Sequence, residues 1–73
     1  MAAKIMDKLD VVVDIFLQSI NETAAEQGIE LMEDAIAIAK SHFLRNCISC
    51  GIPNKATAKE VGKQFVLRMI NFG

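Results

Sequence analysis

Apolar residues recur in the first third of the chain at spacings of three, four and seven. With each residue a 100° step around a helix, Ile5, Met6, Leu9, Val12, Val13, Phe16, Leu17, Ile20 and Ala24 fall within one arc of about 140°. Asp7, Asp10, Asp14 and Asn21 form a ridge away from that arc. The pattern predicts a first helix over about residues 2–25 with one core-facing stripe. Val11 and Ile15 break the rule, because they lie one turn apart on the otherwise polar side.

A second stripe, Leu31, Met32, Ala35, Ile36, Ala39, Phe43, Cys47 and Cys50, would point roughly 110° away from the first if the helix ran on unbroken. A break is therefore expected between them. Gly28 suits it, since glycine tolerates the left-handed conformation that ends helices and Ile29 can make the accompanying apolar contact. Thr23 as N-cap with Glu26 three residues on offers a rival start for the second helix, and a kinked continuous helix is a third option. The second helix is expected over about residues 29–50, with Gly51 and Pro53 stopping it. Ala37, Leu44 and Ile48 give it a further apolar strip on the far side, so it reads as sandwiched.

Asn54 or Thr57 can cap a third helix over about residues 55–71, and Thr57 with Glu60 has the form of a capping box. Ala58, Val61, Phe65, Met69 and Phe72 form its expected core stripe, while Lys55, Lys59 and Lys63 form a basic ridge. Val66, Leu67 and Ile70 make its last turns apolar nearly all round. The fold expectation is all-α: one domain spanning residues 1–73, a three-helix bundle or a helical hairpin plus a third helix, completed by dimerisation.

Composition sharpens the dimer argument. A chain of 73 residues buries only about 60% of the surface it exposes when unfolded, so small domains lean on staples or oligomers. Here 52% of the residues are hydrophobic, and a surplus strip on each helix is left for a partner: Val11 and Ile15; Ala37, Leu44 and Ile48; Val66, Leu67 and Ile70. Charge is unevenly spread. Residues 1–34 carry two lysines against eight carboxylates, a net of −6, whereas residues 35–73 carry six cations against Glu60, a net of +5. A closed two-fold dimer would set the acidic half of one copy against the basic half of the other, and Lys55, Lys59, Lys63, Asp7, Asp10 and Asp14 are candidate electrostatic contacts. No uncharged run approaches the roughly 20 residues of a membrane span, and Asp7 and Asp10 interrupt any secretory leader. The expectation is a cytoplasmic protein with reduced cysteines.

Chemistry-bearing residues are few. Cys47-Ile-Ser-Cys50-Gly51 resembles one knuckle of a zinc ribbon, but a structural site needs four ligands and only His42 could join them, so zinc would have to bridge two chains. The thiols also end a helix, where the dipole opposes the thiolate that redox chemistry needs. His42 and Cys47 stand about 140° apart on one helix and cannot pair as base and nucleophile. Thr57-Ala58-Lys-Glu-Val61-Gly62 resembles the turn of a helix-turn-helix motif, yet Lys63 falls where an apolar residue should follow. With a pI near 5.7 and neither Trp nor Tyr, nucleic-acid binding is disfavoured. The sequence therefore points to a non-enzymatic protein without cofactor that acts by stoichiometric binding, as an adaptor, small chaperone, regulator or inhibitor, with itself and another protein as partners. The alternative is a small nucleic-acid-associated regulator with zinc bridged between chains by Cys47 and Cys50.

Overall fold

In a computed structural model, the backbone is described from Ala3 to Phe72 and the side chains from Lys8 to Asn71. Three helices account for most of it: α1 (Ala3–Glu26), α2 (Glu33–Cys50) and α3 (Lys55–Phe72), with no strand among the described residues. The chain is a three-helix bundle 42 Å long and 19 × 18 Å across. The side chains of Ile5, Met6, Asp7 and Phe72, which belong to the expected stripes and ridge, lie outside the described ones.

The break between the first two stripes falls at Gly28, and its geometry follows from the backbone hydrogen bonds. Gly28 has φ +68°, its N–H donates to the Ala25 carbonyl, and the Ile29 N–H reaches back to the Ala24 carbonyl at 2.8 Å. These are the paired bonds of a Schellman cap, with Ile29 folded against the core behind it. Thr23 is buried inside α1 and starts nothing. Residues 29–32 stay non-helical, so α2 begins at Glu33, four residues later than periodicity alone places it. Its N-cap is Met32, with an extended backbone and no side-chain cap. At the other loop Gly51 ends α2 at φ +98°. The Asn54 side chain then caps α3, accepting the Thr57 N–H at 2.7 Å. Thr57 is thus inside α3, and Glu60 binds Gln64 instead of closing a capping box.

Helix α1 is the central element, because α3 packs along it extensively, α2 more lightly, and α2 and α3 scarcely touch each other. Phe43 faces Phe16, and Cys47 shares a groove with Val12, so α2 runs antiparallel to α1. Asn54 and Lys55 border Lys8 and Val12 while Lys59 and Gly62 lie against Ser19, so α3 runs parallel to α1. At the centre Phe16 stacks on Phe43 with centroids 4.3 Å apart and meets Phe65 edge-on at 6.5 Å, joining all three helices.

The stripe on α1 is the expected one: Val12, Val13, Phe16, Ile20 and Ala24 are buried, with Leu9 and Leu17 packed beside them. On α3 the buried line is Ala58, Gly62 and Val66, with Phe65 beside it, rather than Ala58, Val61, Phe65 and Met69. Gly62 explains the rotation. Having no Cβ, it lets α3 approach until its backbone nearly touches the Phe16 carbonyl, and the Ser19 hydroxyl donates across the seam to the Lys59 carbonyl. Val61 and Met69 are turned out and remain 40% exposed. On α2 only Ala39, Phe43 and Cys47 are buried, while Met32 and Cys50, assigned to the same stripe, are exposed. One partner helix can cover only one narrow ridge, so within a single chain α2 lies on the surface and is not sandwiched.

Candidate functional site

The residues expected to await a partner separate into two groups once the bundle is assembled. Val66 is fully buried in the core, a correction that follows from the close α1–α3 approach at Gly62. Ile15 and Leu44 pack against the core and are half-buried, and Leu67 is half-buried as well. Four remain open to solvent: Val11, Ala37, Ile48 and Ile70. Ile48 is 81% exposed on α2, and Ile38, which periodicity did not single out, is 57% exposed on the same helix. Neither Ile48 nor Ile38 contributes to the core. Their side chains are held out by a helix whose opposite ridge, Ala39, Phe43 and Cys47, faces α1.

A groove of about 880 Å³ opens where the start of α1, the end of α2 and the 51–54 connection meet. Val11, Val12, Ile52 and Pro53 line it, with the buried Cys47 behind them and the exposed Lys8 and Lys55 at its margin. Its size and apolar lining are those of a binding cleft. It is not legible along the chain, because residues 8–12 and 51–55 are brought together only by the tertiary fold.

The candidate chemical groups do not converge. Cys47 is buried and Cys50 exposed, and burial pushes the Cys47 thiol above its ordinary value, so it keeps its proton more tightly. His42 is exposed on α2 and borders Ala37, Ile38, Ser41 and Arg45, away from the groove that Cys47 lines. Among the described residues no three His, Cys, Asp or Glu side chains gather as a metal would need. Lys55, Lys59 and Lys63 are exposed, as are Asp10 and Asp14. Glu22 of α1 lines the same cleft as Lys55 and Lys59 of α3, so residues of the acidic and basic halves also border one another within one chain. No helix among the described residues is long and apolar enough to cross a membrane. Compared with protein-family models, curated proteins and solved structures, the chain matches none.

Proposed function

We propose that this chain is a small non-enzymatic interaction protein that acts by stoichiometric binding, as an adaptor, small chaperone or regulator, and that it pairs with a second copy of itself through the outward face of α2. The observation that carries this reading is Ile48, a large aliphatic side chain left 81% exposed at the C-terminal end of an apolar strip with Ala37 and Leu44. Burying such a side chain is worth about 1.5 to 3 kcal/mol, and the same strip on a two-fold mate doubles the gain against the entropy of association. The dispersal of His42, Cys47 and Cys50 over separate environments favours binding over catalysis. Light scattering tests the pairing. At high salt the wild-type chain is expected at twice its 8.0 kDa mass at high micromolar concentration, and Ile48→Glu at the monomer mass with its helical circular dichroism intact. A wild-type chain that stays monodisperse at the monomer mass overturns the proposal.

A further inference from the structure

The apolar groove and the α1–α2 turn lie at opposite ends of the long axis. Helix α1 has 24 residues and is about 36 Å long in a molecule of 42 Å, the groove borders its beginning, and the turn follows its end. The two ends complement each other in apolar surface and in charge. At the groove, Val11, Val12, Ile52 and Pro53 present apolar surface flanked by the ammonium groups of Lys8 and Lys55. Asp10 and Asp14, about 160° and 120° round α1 from Lys8, do not line it. At the turn, Met32 stands 75% exposed on extended backbone, and Glu26, Glu30, Glu33 and Asp34 surround it in sequence with no cation between them.

Met32 has no role in its own chain that accounts for its place. It occupies the N-cap of α2, where Ser, Thr, Asp or Asn would satisfy a free N–H, and it makes no side-chain cap. An unbranched thioether is, however, well suited to filling an irregular apolar cleft. We propose that the Glu30–Asp34 turn of one copy seats in the groove of the next, with Met32 against Val11, Val12, Ile52 and Pro53 and the flanking carboxylates facing Lys8 and Lys55. The contact joins unlike surfaces, so each chain offers one of each and copies add head to tail along the long axis. It rests on the reading of a self-associating interaction protein, but uses a surface separate from the outward face of α2.

The experiment uses the Ile48→Glu chain, in which pairing through α2 is removed, and follows mass by light scattering at low and high salt. The expected result is a mass that grows with concentration at low salt and falls at high salt, as contacts between exposed charges are screened. In that background Lys55→Glu, which spoils the groove, and Met32→Asp, which spoils the turn, are each expected to be monomeric. Mixed in equal amounts they should form a capped one-to-one pair, since one still has its turn and the other its groove. All three substituted side chains are exposed, and circular dichroism checks that each variant is folded. If the wild-type chain pairs while Ile48→Glu is monomeric at low salt as well as at high salt, the head-to-tail contact is overturned and the α2 pairing stands. If Ile48→Glu assembles as the wild type does and Lys55→Glu dissociates it, the head-to-tail contact stands and the α2 pairing falls. Assembly indifferent to both end variants, or a mixture that stays monomeric, overturns the head-to-tail contact, and a monomeric wild-type chain overturns both.

Discussion

A Cβ added at Gly62 would sit 2.7 Å from the Phe16 carbonyl oxygen and 2.9 Å from the Ser19 Cβ, inside van der Waals contact with backbone that has little room to move. At Gly28 an added Cβ meets nothing within 4 Å, but its φ of +68° is one that side chains with a Cβ adopt at a cost. The two substitutions therefore fail for different reasons. Gly28→Ala should lose about 1 kcal/mol from the left-handed backbone. Gly62→Ala gains about 1 kcal/mol of helix propensity but must push α3 off α1, and overpacking of this kind costs about 1 to 3 kcal/mol. With backbone as the obstacle the clash prevails, so the expected outcome in urea titration is net destabilisation. A neutral or stabilised Gly62→Ala chain would mean that the helices stand further apart. Gly28 is legible in the sequence because a stripe stops before it and an apolar residue follows. Gly62 is not, because its reason is a neighbour 43 to 46 positions away.

Among the elements, α3 shows how a start is decided when two residues could provide it. Asn54 and Thr57 both have the right chemistry, and the backbone of the 51–54 connection settles the choice by placing the Asn54 Oδ1 on the Thr57 N–H. Asn54→Ala should cost about 1 kcal/mol, whereas Thr57→Ala, which leaves that bond in place, should shift stability by no more than a few tenths. Thermal melts of the two variants check this, and the reverse order would return the cap to Thr57. The later start of α2 has a related cause. Once the Schellman cap turns the chain at Gly28, Ile29 and Leu31 reach the core from non-helical backbone, so their apolar character belongs to the loop rather than to the helix stripe.

Over the whole molecule, stability rests on α1, since α2 and α3 share little surface. Phe16 is 2% exposed and touches an aromatic ring on each of the other helices. Domains hold roughly 0.05 to 0.15 kcal/mol per residue, which for this length is about 4 to 11 kcal/mol in total. Truncating a buried Phe to Ala removes about 3 to 5 kcal/mol. Phe16→Ala should therefore abolish or sharply lower the cooperative thermal transition, while Ile48→Ala should leave the transition of the monomer almost unchanged. Equal losses from the two would place Ile48 in the core.

Three helices, the stripe on α1, the reversal at Gly28 and the stop at Gly51 were set by local chemistry. A 3.6-residue period, a glycine able to take positive φ and a capping side chain act within a few residues, so they can be read along the chain. Which face of α3 turns inward was settled only in three dimensions, because Val61, Phe65, Val66 and Met69 are all apolar and periodicity cannot rank them. The close approach at Gly62 ranks them, burying Val66 and turning out Val61 and Met69. The separation of Cys47 from Cys50 by burial and the groove beside Lys8 and Lys55 arise in the same way. Each depends on the distance between residues far apart in sequence, and helix packing alone fixes that distance.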